Sequence, residues 1–211
     1  PRTNNEKALE LAEQAIKNSG FEIGKDIGLG IDFARSSLWN NDKQYYEYKR
    51  EQSSRSTDEQ IDYVNSLIQK YALIYVEDPV HEEDFLGMAE LTKKNRNCLV
   101  TGDDMLVTNR DRVTKASKYG ACSGAILKVN QAGTLYDALL FADECDRKGL
   151  KLVTSHRSGE SVDSHISHIA IATKSKMLKS GILGGERVAK LNELVRLAEY
   201  DLIDGMADLS F

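Results

Sequence analysis

Short apolar runs alternate along the chain with longer segments in which an apolar residue recurs every three to four positions. The short runs predict buried strands at 27–32, 72–76, 99–101, 125–127, 152–154 and around 177. The longer segments predict amphipathic helices at 5–20, 56–68, 82–93, 109–119, 134–146, 163–171 and 186–200. A capping box that starts at Ser56 and a cap at Thr134 support two of these helices. The aromatic and polar stretch at 35–55 predicts a small hairpin or ordered loop.

This alternation predicts an α/β protein with a buried parallel sheet. Strands spaced by roughly 25 residues are typical of the repeated strand–helix units of a TIM-type (β/α)8 barrel. A closed barrel needs about eight strands and about 250 residues, so this chain accounts for only about six units. Because an open barrel would expose strand edges, we expect residues 1–211 to be the C-terminal part of a longer barrel. The first barrel strands should then precede Pro1.

Composition and charge restrict the expected location and partners. Hydrophobic residues make up 41% of the chain and charged residues 29%, which predicts a soluble globular protein. The net charge is −5 and the basic residues are dispersed, so we expect no nucleic acid partner. No apolar stretch approaches the roughly 20 residues of a membrane span, so we expect no membrane association. Cys98, Cys122 and Cys145 fit reduced core thiols, which predicts a cytoplasmic location.

One charged or polar side chain follows each predicted strand: Asp32, Glu77, Asp103, Lys128, His156 and Lys179. The C-terminal strand ends of a parallel barrel meet at one face, so we expect these residues to share a pocket. The three carboxylates offer the hard oxygen ligands that suit Mg²⁺. Each acid taken singly fits a helix cap or a solvated loop, but three together would repel one another without a cation. The pattern predicts a metal-assisted acid/base site.

Lys128 follows three apolar residues and is the candidate general base. A lysine pKa of about 10.4 falls toward roughly 7 to 8 when desolvation and nearby positive charge disfavour the ammonium form. Lys179 and Arg157 would supply that charge along with the metal. Taken alone, Lys128 is equally well explained as a surface lysine whose stem packs on apolar groups.

The segment 155–160 places two hydroxyls, an imidazole and a guanidinium directly after a predicted strand. Arg157 suits a phosphate or carboxylate because its planar fork donates two hydrogen bonds at once. The alternative is a polar loop that caps the next helix, particularly for Ser158. His165 and His168 have the spacing of a metal pair on a helix, but the sequence offers no third ligand and favours a helix-surface position.

Five segments, taken in order, resemble the enolases, the phosphopyruvate hydratases of glycolysis. They are Val76-Glu77-Asp78-Pro79, Gly102-Asp103-Asp104-Met105-Leu106-Val107-Thr108-Asn109, Leu127-Lys128-Val129-Asn130-Gln131, Ser155-His156-Arg157-Ser158-Gly159-Glu160 and Glu186-Arg187-Val188-Ala189-Lys190. The resemblance covers nearly the whole chain and implies the C-terminal barrel of an enolase. It also implies reversible dehydration of 2-phosphoglycerate to phosphoenolpyruvate, a Mg²⁺ cofactor and a homodimer or larger assembly.

The resemblance implies roles for individual residues. The residues that match the three magnesium ligands are Asp32, Glu77 and Asp103. Lys128 matches the base that removes the C2 proton, and His156 and Lys179 match residues that line the substrate and assist catalysis. The implied substrate contacts are Glu77, Asp103, Ser155, His156, Arg157, Ser158 and Lys179, with Arg157 and Ser158 at the phosphate.

Two departures from the family pattern bear on the expected activity. The family's general acid is a glutamate in a Gly-Asp-Glu-Gly-Gly segment, which would fall before Pro1. The smaller N-terminal domain that covers the family's active site would lie there as well, so we expect the 211 residues alone to be inactive. The segment 180–186 reads Ser-Gly-Ile-Leu-Gly-Gly-Glu in place of Gly-Ala-Pro-x-Arg-Ser-Glu, in a region near the expected dimer contacts.

Two other functions stay open on the sequence. A different enolase-superfamily enzyme would abstract a proton beside a carboxylate in a substrate without phosphate, and a substrate panel separates the two activities. A non-catalytic enolase-like interaction module would keep the fold, and in that case Lys128→Ala would change no activity.

Overall fold

Two units of alternating strands and helices make up the computed structural model, which describes residues 4–34, 37–200 and 203–209. The first unit comprises the described residues up to Met105 together with Lys118–Cys122. The second comprises Leu106–Ser117 and the described residues from Ser123 onwards. The expectations about Pro1, and the part of the predicted hairpin at Arg35, lie outside the described residues.

The described residues of the first unit form three parallel strands, a small antiparallel sheet and three helices. Its helices are α1 (Asn5–Asn18), α2 (Thr57–Tyr71) and α3 (Phe85–Lys94), and its strands are β1 (Gly30–Asp32), β2 (Trp39–Asn40), β3 (Tyr45–Tyr48), β4 (Ser53–Arg55), β5 (Tyr75–Glu77) and β6 (Leu99–Gly102). Strand β5 pairs in parallel with both β1 and β6, which places Asp32 opposite Glu77 and Glu77 opposite Thr101. The predicted strand-end acids Asp32 and Glu77 therefore lie side by side at one edge of this sheet.

Strands β2, β3 and β4 form a small antiparallel sheet, which confirms the predicted hairpin within the described residues. The Tyr48 hydroxyl donates to Gln60 Oε1 at 2.7 Å, and Gln60 Nε2 donates to the Pro79 carbonyl at 2.8 Å. The hydroxyl of the fully buried Tyr46 accepts the His81 N–H at 2.8 Å. These bonds fasten the loop after β5 to the small sheet.

The second unit repeats the alternation. Its strands are β7 (Gly124–Leu127), β8 (Lys151–Ser155) and β9 (Met177–Lys179), and its helices are most of α4 (Arg110–Tyr119), α5 (Val129–Ala132), α6 (Leu135–Arg147), α7 (His165–Ala172) and α8 (Gly185–Leu197). The three strands pair in parallel, with Leu127 opposite Thr154 and Ser155 opposite Lys179. Ile126 and Phe141 are fully buried in the core that this strand–helix packing creates.

Local signals placed most helix starts correctly. The Ser56 side chain accepts the Glu59 N–H while Glu59 Oε2 accepts the Ser56 N–H, which is the predicted capping box. The Thr134 side chain accepts the Asp137 N–H at 3.0 Å, so the predicted cap of α6 is confirmed. The helix predicted from position 163 begins at His165, although Asp163 Oδ1 accepts the His165 N–H at 3.3 Å.

Two strands begin later than their apolar runs predicted. Ala72 has the left-handed φ of 46° at the end of α2, and its N–H donates to the Ile68 carbonyl, so the chain enters β5 only at Tyr75. Near β1, the Gly24 N–H donates to the Ile27 carbonyl at 2.8 Å and closes a turn that includes Ile27, the first residue of the expected strand. Strand β1 then starts at Gly30. A side chain at this position would place its Cβ 2.9 Å from Tyr75 Cβ and 3.0 Å from the Tyr75 carbonyl oxygen, so glycine allows the close approach of β1 to β5.

Two expectations concern the surroundings of the protein. Cys98, Cys122 and Cys145 are free and buried, as predicted for core thiols. Within the described ranges, every helix is too short or too polar to cross a membrane.

Candidate functional site

Three carboxylates meet where strands β5 and β6 of the first unit end. Glu77 is the last residue of β5, Asp78 follows it, and Asp103 follows β6. One oxygen from each lies within 4.8 Å of the others. Glu77, Asp78 and Asp103 are only 0%, 4% and 8% exposed. The structure therefore brings two of the predicted magnesium ligands, Glu77 and Asp103, into one buried acidic group.

Asp78 shapes this group through the backbone. Its two carboxylate oxygens accept the N–H groups of Asp103 and Asp104, each at 2.9 Å. Its own N–H donates to the Thr101 carbonyl at 3.0 Å, and its φ of 40° is left-handed. Such a backbone conformation costs free energy in a residue with a Cβ, so the surrounding hydrogen bonds must maintain it. Asp78 thus fixes the turn that carries Asp103.

Sequence analysis gave Asp78 no role, although it quoted the residue within a family segment. The available signal was its position: an acid directly after a buried strand, next to Glu77 and before Pro79. What the sequence could not reveal is the partner, because the N–H groups that Asp78 accepts lie about one strand–helix unit away along the chain.

The electrostatics of the group favour a cation. Burial raises the pKa of Asp78 to about 8, against the opposing hydrogen bonds from the Asp104 and Asp103 N–H groups, and the charges of those two acids add to the rise. Burial, followed by the charge of Glu77, also raises the pKa of Tyr75, whose hydroxyl donates to Glu77 Oε2. A buried set of three carboxylates fits a hard divalent ion, because the ion would compensate the crowded negative charge.

Asp32, the third predicted ligand, lies at the neighbouring strand end. Its side chain is exposed, and its Oδ1 accepts the Ala34 N–H at 3.0 Å. The Phe33 N–H donates to the Glu77 carbonyl at 3.0 Å, which ties the two strand ends together. Asp32 also lines a cavity of about 630 Å³ in this unit. The third member of the 4.8 Å group is Asp78 rather than Asp32.

The second unit presents the predicted basic residues at its own strand ends. Lys128 follows β7, is half-buried, and occupies the N-cap position of the short helix α5 without a capping bond from its side chain. Its N–H donates to Thr108 Oγ1 at 3.0 Å. The His156 N–H donates to the Lys179 carbonyl at 3.1 Å, which joins the ends of β8 and β9. Lys128 is thus fixed at its main chain, and His156 and Lys179 are held next to each other.

The environment of His156 favours the neutral form of its imidazole. Burial lowers its pKa, and the positive charges of Arg187, Lys179 and Lys190 lower it further, while Glu160 acts in the opposite direction. A neutral imidazole has one ring nitrogen that donates and one that accepts a hydrogen bond.

The residues predicted to bind phosphate line a cavity of about 1090 Å³ in this unit. Ser155 is buried in the wall, whereas Arg157 and Ser158 are exposed. Arg157 Nη1 donates to Asn130 Oδ1 at 3.4 Å, and the Arg157 N–H donates to Glu160 Oε1 at 3.0 Å. The cavity therefore offers a guanidinium and two hydroxyls to an anion.

The histidine pair on α7 lies on the helix surface, as favoured from the sequence. His165 Nδ1 lies 2.9 Å from Asp163 Oδ1, and His168 Nε2 lies 2.6 Å from Glu193 Oε1. Both imidazoles are largely exposed. Their partners are carboxylates on different segments, Asp163 before α7 and Glu193 on α8.

The chain matches a known family model and several curated proteins of the same family. Residues 2–206 match the family model described as enolase, C-terminal TIM barrel domain. The enolase of Methanosphaera stadtmanae is 44% identical over 210 residues, which are 99% of this chain and 51% of that protein. The enolase of Pyrobaculum aerophilum is 42% identical over 200 residues, which are 95% of this chain and 47% of that protein.

A third enolase, from Methanothermobacter thermautotrophicus, is 40% identical over 212 residues, covering 100% of this chain and 51% of that protein. The chain therefore spans about half the length of the curated relatives it matches. The family resemblance and the TIM-barrel fold class predicted from the sequence are confirmed. The chain belongs to the enolase family and carries the C-terminal TIM barrel domain of that family.

Proposed function

We propose that these residues form the C-terminal barrel portion of a magnesium-dependent enolase, which interconverts 2-phosphoglycerate and phosphoenolpyruvate. The observation that carries the proposal is the buried group of Glu77, Asp78 and Asp103, held at the ends of two parallel strands. Membership of the enolase family supports the reaction class. The complete protein would be a cytoplasmic lyase that assembles as a homodimer or larger oligomer.

The metal ligands in this proposal are Asp32, Glu77 and Asp103. Support comes from the register that places Asp32 opposite Glu77 and from the 4.8 Å grouping of Glu77 with Asp103. When bound, Mg²⁺ supplies the positive charge that stabilises negative charge developing on the substrate carboxylate. Asp78 acts on Asp103 through the main chain, since both of its oxygens already accept backbone N–H groups.

Lys128 is the proposed base. Its amine takes the proton from C2 of 2-phosphoglycerate and becomes an ammonium, while the electron pair of the broken C–H bond moves toward the carboxylate. Loss of the C3 hydroxyl then forms the double bond, and this step needs an acid because the leaving group departs as water. The family resemblance assigns that acid to a glutamate outside these 211 residues.

The substrate's phosphate is the proposed ligand of Arg157 and Ser158. The cavity that they line with Ser155 supports this assignment, as does the capacity of a guanidinium to bind phosphate through two hydrogen bonds. His156 and Lys179 would donate hydrogen bonds or charge to the same substrate. The remaining substrate contacts are proposed at Glu77 and Asp103.

Phosphoenolpyruvate formation, followed by ultraviolet absorbance with and without Mg²⁺, tests this function in the complete protein. We expect magnesium-dependent turnover, and a loss of about 10²- to 10⁴-fold in Lys128→Met because the general base is removed. Lys118→Met is the matched control, since Lys118 is an exposed residue of α4. The isolated 211 residues should show no turnover.

Other outcomes identify the alternative functions. Turnover of carboxylate substrates that lack phosphate, but not of 2-phosphoglycerate, would indicate another superfamily activity. Complete inactivity of the folded, magnesium-loaded protein would favour an interaction module. One structural feature favours the interaction module: Ile182 and Leu183 in the divergent 180–186 loop are 75% and 80% exposed.

A further inference from the structure

A buried ammonium group lies behind the predicted phosphate-binding segment. Lys190, on α8, is 0% exposed. Its Nζ donates to the carbonyl oxygens of Ser161, Asp163 and Glu186 at 2.8, 2.7 and 2.9 Å. It also lies 2.8 Å from Glu160 Oε2. Four oxygens from two segments of the second unit therefore surround this nitrogen.

This arrangement is costly to disturb. Removing a charge from water is costly, and only close and complete pairing offsets that cost. Lys190 meets that condition because an ammonium has three N–H donors and the structure supplies three carbonyls and a carboxylate. Removing the Glu160 charge would leave the buried Lys190 ammonium without its anionic partner, so the pairing favours one conformation of the segment around residues 160–163.

Glu160 extends the contact to the anion-binding residues. One of its oxygens faces Lys190, and the other accepts the Arg157 N–H at 3.0 Å. Burial alone would raise the pKa of Glu160, yet the hydrogen bonds from Lys190 and from the Arg157 N–H leave it lowered. Glu160 is therefore a charged link between a fixed helix and the main chain of Arg157.

We propose that Lys190 and Glu160 are positioning residues, which together hold Arg157 and Ser158 in the geometry that receives the substrate's phosphate. The proposal deepens the function proposed above and rests on it. Lys190 touches no residue assigned to the chemistry and acts through Glu160 and through the carbonyls of Ser161 and Asp163. Its loss should weaken substrate binding much more than it slows the chemical step.

A structural role in helix packing alone would have different consequences. The α7–α8 pair has its own hydrogen bond, in which the buried Ser167 hydroxyl donates to the Lys190 carbonyl at 2.8 Å. Ser167→Ala removes that bond and leaves the Lys190 ammonium in place. It is therefore a matched control for general loosening of this helix pair.

The test compares Glu160→Gln, Lys190→Met and Ser167→Ala in the complete protein. Hydrogen exchange of the 157–163 amides measures how firmly this segment is held. The KM for 2-phosphoglycerate and the inhibition constant of inorganic phosphate measure binding, and kcat measures the rate of turnover. We expect faster amide exchange in Glu160→Gln and Lys190→Met. In both variants the KM for 2-phosphoglycerate and the inhibition constant of inorganic phosphate should rise about tenfold, while kcat changes less than about threefold. Ser167→Ala should show amide exchange rates and a KM close to those of the wild type.

Each outcome bears on a distinct statement. If the wild type turns over but Glu160→Gln keeps its exchange rates or its KM, the positioning role is refuted while the proposed enolase function stands. A matching rise of KM in Ser167→Ala would also refute it, since general loosening would then explain the effect. If the wild type shows no turnover with Mg²⁺, the proposed function fails and the positioning role fails with it. Glu160→Gln decides the question if Lys190→Met does not fold.

Discussion

The acidic group of the first unit and the basic segment of the second unit are built in different ways. Glu77, Asp78 and Asp103 are buried at strand ends, and Asp78 accepts the main-chain N–H groups of Asp103 and Asp104. Arg157 and Ser158 are exposed on a loop, and their support comes from a separate helix through Lys190. The first design presets oxygens at a few ångströms, as a small ion requires. The basic segment offers an exposed surface whose main chain is held by hydrogen bonds, which suits a larger anion.

The largest effect should follow from removing a charge in the acidic group. Glu77→Gln leaves one fewer anionic oxygen among the buried carboxylates, so Mg²⁺ affinity should fall by at least about 100-fold. Isothermal titration of Mg²⁺ into the complete protein measures this. Asp42→Asn is the matched control, because it removes one negative charge from an exposed turn of the same unit. Unchanged Mg²⁺ affinity in Glu77→Gln would contradict the assignment of the metal site.

A smaller effect is expected at Asp78. In Asp78→Asn an amide NH₂ replaces one acceptor, so the N–H of either Asp103 or Asp104 loses its partner. An unsatisfied buried donor costs about 1–3 kcal/mol, which urea denaturation would detect as a lower free energy of unfolding. Mg²⁺ affinity should fall about tenfold, because Asp103 is no longer held in position. Retention of full Mg²⁺ affinity by a destabilised variant would restrict Asp78 to a structural role.

The smallest effect concerns the pH dependence of the basic segment. The pKa of Glu160 is lower in the folded protein than its ordinary value: burial and the charge of Asp163 raise it, but Lys190 and the Arg157 N–H lower it further. Its ionised form therefore stabilises the folded state fully above the unfolded pKa of about 4.3. This contribution is lost as the pH falls through the lower folded value.

Urea midpoints of the wild type and Glu160→Gln, compared across pH, measure that contribution. The wild type should be the more stable protein by a constant margin near neutral pH, and the margin should shrink below about pH 4.3. If the stability difference between the wild type and Glu160→Gln persisted unchanged below about pH 4.3, the charge of Glu160 would not be the cause of that difference.

Local chemistry explains what the sequence could predict. Ser56, Glu59 and Thr134 act within one helical turn, so their caps could be read directly. The strand-end positions of Glu77, Asp103 and Lys128 followed from the alternation of elements. These features need no knowledge of distant contacts.

The features that were missed depend on partners far away in the chain. The left-handed Ala72, which delays β5, has an ordinary helix-forming side chain and gave no signal. Asp78 becomes meaningful only through the N–H groups of Asp103 and Asp104, and Lys190 only through the 160–163 segment. A lysine on an amphipathic helix normally faces solvent, so its burial could not be read from periodicity.

The acceptors that surround Lys190 set the pattern of sequence change that its loop tolerates. Three of the four are main-chain carbonyls, which every amino acid possesses. Side chains at positions 161 and 163 can therefore be exchanged during evolution without loss of these three bonds, whereas an insertion or deletion would displace the carbonyls. The same reasoning applies to the carbonyl of Glu186, which keeps its bond to Lys190 although the preceding loop has diverged from the family pattern. The length of this segment therefore matters more to these three bonds than the identity of its side chains.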